Sequence, residues 1–340
     1  MLKTFFGALT PMLTLAFCIL VGFLLRRTKL LPDNAGKVMA KMDTWVFLPA
    51  LCFYTTMSYC TPEKLGTYTK NLLMSSVAVL LAVLLSCTLI RFFSKPGRAD
   101  YGVYLYALAF ANSGYMGDPL VQSILGKGDE ILGTLALSYY KIFCLPISLA
   151  IYTWGISSMI PSDKSARGVR GILRKIANPP TVSLLLGMIV GLCGLGAHIP
   201  TFALDALDKL RGCMGPVAML LAGFTIGSYG LGRMLSHKKT YVASLLRLIV
   251  IPSFIIAVLY GVKTLLCLIP GFEMDNTFLY FAFFAIGTPL GLNTVVFPEA
   301  YGGDAEVGAG MTLISHTLCI LTIPLMYAAM TVIFGEPHIV

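Results

Sequence analysis

Between Tyr101 and Leu125 runs an apolar stretch long enough, at about 1.5 Å per residue, to cross a bilayer, yet it is interrupted at its centre. Gly114, Gly117 and Pro119 fall within six positions, next to Asn112, Ser113 and Asp118. Proline removes a backbone donor and glycine weakens a helix, so the backbone is predicted to open there. Opened backbone inside hydrocarbon is tolerated only where protein covers it or it lines a wet cavity. An ionisable side chain at the same depth is costly and usually functional. The interruption is therefore the expected working site.

The rest of the chain fits a polytopic membrane protein. Hydrophobic residues make up 57% of it and charged residues 12%, where a soluble chain carries roughly 25% charge. About ten apolar segments meet the length criterion for a membrane helix: 5–25, 42–60, 69–93, 101–125, 131–160, 179–197, 205–229, 241–269, 277–299 and 307–334. The connections are short and hold the charge. With the first segment running inward, the inner loops collect Arg26, Arg27, Lys29, Arg91, Lys95, Arg98, Arg167–Lys175, Arg233, Lys238, Lys239 and Arg247. The outer loops hold far fewer basic residues, among them Lys64, Lys127, Arg211 and Lys263. This asymmetry predicts a multi-pass protein of the plasma membrane with both termini outside the cytoplasm. It also accounts for the net charge of +9 without a nucleic-acid partner. The first segment is preceded only by Lys3 and followed by Arg26 and Arg27, which predicts a retained helix rather than a cleaved signal. Nine cysteines lie scattered with no CxxC pair, so neither a disulfide framework nor a metal site is expected.

The longest hydrophilic connection, 161–178, is basic and divides the chain into a first repeat, 1–160, and a second, 179–340. Pro11, Gly22 and Pro32 recur as Pro180, Gly191 and Pro200, and Pro49 is answered by Pro216. Gly128-Asp129 is answered by Gly303-Asp304, and Pro146 by Pro324. Four pairs in consistent order point to duplication. Each half holds about five crossings, an odd number, so the copies must be inverted relative to one another. Inverted repeats with interrupted helices at matching positions are a mark of secondary transporters. A second interruption is then required in the ninth segment, and Gly287-Thr288-Pro289-Leu290-Gly291-Leu292-Asn293-Thr294 supplies it. Two opened helices crossing at the midplane present half-helix N-termini suited to an anionic group, with Asn112, Ser113, Asn293 and Thr294 adding side-chain hydrogen bonds. Two kinks in ordinary packed helices are the plainer alternative.

The pattern Asn112-x-x-Tyr115-x-Gly117-x-Pro119-Leu120 resembles the fourth-helix crossover of the auxin efflux carrier (PIN-like) family. Pro289-x-x-x-Asn293-x-x-x-Phe297, followed by Tyr301-Gly302-Gly303-Asp304, resembles its ninth-helix counterpart. The resemblance implies an all-α integral membrane carrier of ten helices, an inverted repeat of five, with two crossed broken helices as in NhaA and the bile-acid symporters. It further implies a homodimer and the transport of small organic anions, malate- or malonate-like acids in bacteria and auxin in plants. Segments 1, 2, 6 and 7 would form a scaffold, and 3–5 with 8–10 a mobile transport domain. Without the long cytosolic loop of the plant canal-type carriers, the chain resembles the compact prokaryotic-type members. Asp118 departs from the pattern, which has an apolar residue there.

Lys141 lies deep in the fifth segment and needs a partner, since a central lysine costs about 2.5–3.5 kcal/mol on insertion scales; Asp118 is the expected one. His316 occupies the matching place in the tenth segment. The two cations either steady the fold or couple transport to protons or replace sodium. Asp43 and Glu299 are expected near the interface and solvated. Arg211 is expected to snorkel to headgroups or to guide an anion inward. Trp45 and Trp154 are expected in aromatic belts. Tyr301-Gly302-Gly303-Asp304 is also similar to the GxGD of intramembrane aspartyl proteases, but no second Tyr-Asp partner accompanies it. HExxH and GxxxxGK[ST] are both missing, so an enzyme is not expected. The expectation is an elevator-type carrier of a small organic anion without a cofactor. Its ligand would meet Asn112, Ser113, Gly114, Gly117, Pro119, Pro289, Asn293 and Thr294, with Asp118, Lys141 and His316 beside it. A sodium- or proton-coupled antiporter, or a sensor that binds without translocating, are the alternatives.

Overall fold

A computed structural model describes residues 2–127, 129–160, 177–229 and 231–339, and every regular element among them is helical. Of the basic linker expected at 161–178, residues 161–176 lie outside the described residues. The first half consists of α1 (Leu2–Arg27), α2 (35–59), the short α3 (Pro62–Thr67), α4 (Thr69–Phe92), α5 (Tyr101–Ala109), α6 (113–125), α7 (Glu130–Phe143) and α8 (Leu145–Met159). The second half consists of α9 (Pro179–Leu192), α10 (Thr201–Ser228), α11 (Leu231–Ser236), α12 (Lys238–Leu266), α13 (Thr277–Ile286), α14 (Asn293–Tyr301) and α15 (Ala305–Phe334). Among the described residues α4, α10, α12 and α15 are each long and apolar enough to cross a membrane, and α7 with α8 makes a fifth such span, bent by 48°. Pro146, in the first turn of α8, has no N–H to continue the ladder from α7, which places the bend.

Proline also explains three local widenings of the helices. Wide turns with i→i+5 geometry span Asp43–Phe47, Ser113–Gly117 and Leu246–Val250, and Pro49, Pro119 and Pro252 follow each by two residues. A proline ring clashes with the carbonyl one turn back, and the extra residue in the turn makes room for it.

Glycines set the closest helix contacts. A Cβ on Gly22 of α1 would stand 2.0 Å from the Leu220 carbonyl oxygen of α10, and one on Gly223 of α10 would stand 1.9 Å from that of Ile19. α9 meets α2 in the same manner: a Cβ on Gly187 would stand 2.3 Å from Thr56 Oγ1, and one on Gly191 would stand 2.7 Å from the Cys60 carbonyl oxygen. Without a hydrophobic drive between helices in lipid, such backbone-to-backbone approach supplies the packing. The helices that lead into the two interruptions lie deepest: α13 is buried along its whole length, and α5 from Gly102 to Ala109. This explains why both are apolar all round. Leu80 and Leu84 of α4, and Leu321, Leu325 and Val332 of α15, face outward, as lipid-facing side chains do.

Asp129 and Asp304, the acidic residues of the matched Gly-Asp pairs, do the same job. Each caps the helix that follows, Asp129 accepting from the Leu132 N–H at 2.9 Å and Asp304 from the Val307 N–H at 3.1 Å. The GxGD-like aspartate is thus a helix cap.

Candidate functional site

The helix α5 ends at Ala109, and Phe110 turns extended, with φ −122° and ψ 139°. The helix α13 ends at Ile286, and regular structure resumes only at Asn293. The two freed stretches answer each other. Ala111 and Leu290 form an antiparallel bridge, and the Asn112 N–H donates to the Pro289 carbonyl at 2.7 Å. Backbone groups that leave a helix inside a membrane must find partners within the protein, and each interruption supplies some of the other's. The Asn112 carbonyl then accepts from the N–H groups of both Met116 and Gly117, at 3.2 and 3.1 Å, which opens α6 as a wide turn. Tyr140 of α7 donates its hydroxyl to the Ser113 carbonyl at 2.9 Å. Gly117 is where Tyr140 fits: a Cβ there would stand 2.2 Å from the tyrosine oxygen. On the other side the Thr294 hydroxyl donates to the Gly291 carbonyl at 2.8 Å, and Gly308 lets α15 press against the Thr294 carbonyl.

The side chains divide into three groups. Lys141 and Asp118 form an ion pair and, with Ser113 and Gly114, line a cavity of about 60 Å³ closed by α2, α8 and α9. His316 and Met116 line a larger, mostly apolar cavity of about 300 Å³ against α1 and α10. Between them Asn112, Pro289, Asn293 and Thr294 are buried and line neither cavity. Asn293 donates its amide to the Tyr106 hydroxyl at 2.8 Å, leaving Oδ1 buried without a partner among the described residues. The His316 ring lies with Nδ1 2.9 Å from the Thr312 carbonyl and Nε2 3.5 Å from the Asn112 amide nitrogen. A carbonyl only accepts, so Nδ1 carries the proton and Nε2 faces the amide as acceptor, the neutral imidazole. Pro119 stands inside α6 just after the wide turn, whose extra residue makes room for its ring.

Residues 8–327, nearly the whole chain, match the model of a family described as membrane transport protein. The chain belongs to the auxin efflux carrier family. An uncharacterized transporter of Methanothermobacter thermautotrophicus is 24% identical to it over 253 residues, covering 73% of this chain and 77% of that protein. As a member of the auxin efflux carrier family the protein is a membrane transporter.

Two charges in this auxin efflux carrier-family chain lie where the loop reading did not put them. Arg247 belongs to the wide turn inside α12, beside α5 and α15, not to an inner loop; it is 1% exposed and none of its guanidinium nitrogens has a partner among the described residues. Its flanks, Leu245-Leu246 and Leu248-Ile249-Val250, and Pro252 five residues on, were the available signals. Asp43, expected to be solvated, is 0% exposed in the wide turn of α2, and neither carboxyl oxygen has a hydrogen-bond partner among the described residues. Trp154, expected in an aromatic belt, packs edge-on against Phe110 at the first interruption, ring centroids 5.8 Å apart. Trp45 is exposed, as a belt residue would be. Arg211 is held by Asp208 at 2.8 Å and lies over the Tyr54 ring at 4.2 Å.

Proposed function

We propose that the protein is a secondary transporter of a small carboxylate-bearing solute, bound at the paired interruptions and carried across by an elevator-type displacement. The antiparallel contact of Ala111 with Leu290, closed by the Asn112–Pro289 hydrogen bond, is the observation that carries this reading. It ties two helix ends from opposite halves of the chain into one body, and it leaves the first turn of α6 open on the cavity that holds the Lys141–Asp118 pair. The N–H groups of a first turn have no partners within the helix and carry positive partial charge, which suits a carboxylate.

The division into a scaffold of segments 1, 2, 6 and 7 and a moving domain of 3–5 and 8–10 is supported by the glycine contacts. An inverted repeat that relates segment 1 to 6 and segment 7 to 2 turns the contact of α1 with α10 into that of α9 with α2. Both contacts are made through closely approached glycines, Gly22 and Gly223 in one and Gly187 and Gly191 in the other. The moving domain then carries the Lys141–Asp118 pair and His316 past fixed walls, with ten crossings and both termini outside. Asn112 and Asn293 hold the interruptions in shape, while Ser113 and Gly114 face the solute.

Reconstitution into proteoliposomes tests the reading. Time-dependent accumulation of a labelled small carboxylate, accelerated by unlabelled solute on the far side, is the expected result. Binding of such a solute without any accumulation or exchange would contradict transport and favour a sensor.

A further inference from the structure

The cavity at the first interruption is charged on both sides and neutral in sum. Of the acidic and basic side chains that line it, Lys141 enters from α7 and Asp118 from α6, and the two are paired. Neither is used up by the pairing. A lysine ammonium has three N–H donors, and Asp118 Oδ1 is buried without a hydrogen-bond partner among the described residues. Gly114 leaves the wall open, since nothing stands within 4 Å of where its Cβ would be.

From this we infer that the transported solute is a zwitterion, a small α-amino acid whose carboxylate meets Lys141 and the first turn of α6 while its ammonium meets Asp118. The inference rests on the transporter reading and names the substrate class of the same site. A simple monocarboxylate would approach a lysine already neutralised and a carboxylate of its own sign, with the repulsion strengthened by the low dielectric of the buried site. A dicarboxylate would double that conflict, and a plain amine would meet the same one at Lys141. A zwitterion satisfies both partners and adds no net charge to a desolvated site. The cavity is also small, about 60 Å³.

The test uses the full-length protein, purified and reconstituted, with glycine, alanine, propionate, malonate and ethylamine as probes of thermal stability and of uptake. Alanine and glycine are expected to stabilise the protein and to be taken up at least about tenfold faster than the other three, the worth of one charge-assisted contact. Asp118→Asn is expected to cut amino-acid uptake by about tenfold and narrow its margin over propionate. Uptake of propionate or malonate with amino acids ignored would overturn the zwitterion inference and leave the transporter reading standing. Failure of all five probes both to bind and to move would overturn the two together. An Asp118→Asn protein that folds and keeps its preference for alanine would also overturn the inference. Should that variant not fold, the wild-type panel decides alone.

Discussion

Asn293 reaches across to the Tyr106 hydroxyl with its amide, and its own oxygen is buried without a partner among the described residues. The side chain thus pins the start of α14 to α5 instead of lining a cavity. Asn293→Ala is expected to abolish uptake while folded protein remains in the membrane, because the second interruption loses its register. Unchanged transport would remove the residue from the machinery. The Lys141–Asp118 pair is also read at this scale. Lys141→Ala leaves a carboxylate uncompensated, and breaking a buried pair from one side costs about 3–5 kcal/mol. Part of that cost is discounted here because both side chains keep some exposure. The thermal unfolding midpoint should fall clearly, and the double variant Lys141→Ala with Asp118→Ala should regain most of the loss. A single variant as stable as the parent would refute the pairing. Pairing was legible in the sequence because a lysine deep in a membrane segment demands a partner. The burial of Arg247 and Asp43 was not, because each stands close enough to a segment end to pass for a loop residue.

Elements were legible where composition forced them and obscure where packing shaped them. Gly114, Gly117 and Pro119 foretold the opening of the fourth segment, and Pro289 that of the ninth, since no straight helix accommodates such runs. The wide turns ahead of Pro49, Pro119 and Pro252 were not foreseen; a proline reads equally as a kink until the backbone one turn back is known. Nor did the spacing of small residues say which helices touch. Close approach through Gly223 and Gly191 yields a prediction here. Gly223→Val and Gly191→Val each drive a side chain into the backbone of the facing helix. Overpacking of this kind costs about 1–3 kcal/mol or more. Both should lower the yield of monodisperse protein in detergent, whereas Gly212→Val, with open space around it, should not. Equal behaviour of all three would separate these glycines from the packing.

At the scale of the whole molecule, the two halves of the chain meet where each is interrupted. The sequence supported two interruptions, but not the partner each one takes, because a hydrogen bond between Asn112 and Pro289 leaves no trace in either segment alone. Arg26 and Arg27 close α1, where cations meet the negative end of the helix dipole. The contact of the interruptions can be tested directly, since residues facing each other across an antiparallel pair have Cα atoms about 4.5–5.5 Å apart, within reach of a disulfide. In a background with the native cysteines replaced, Ala111→Cys with Leu290→Cys should cross-link on mild oxidation, read as the loss of both thiols to alkylation in the mass of the intact protein. Thiols that stay free under oxidation, with the protein folded, would contradict the account.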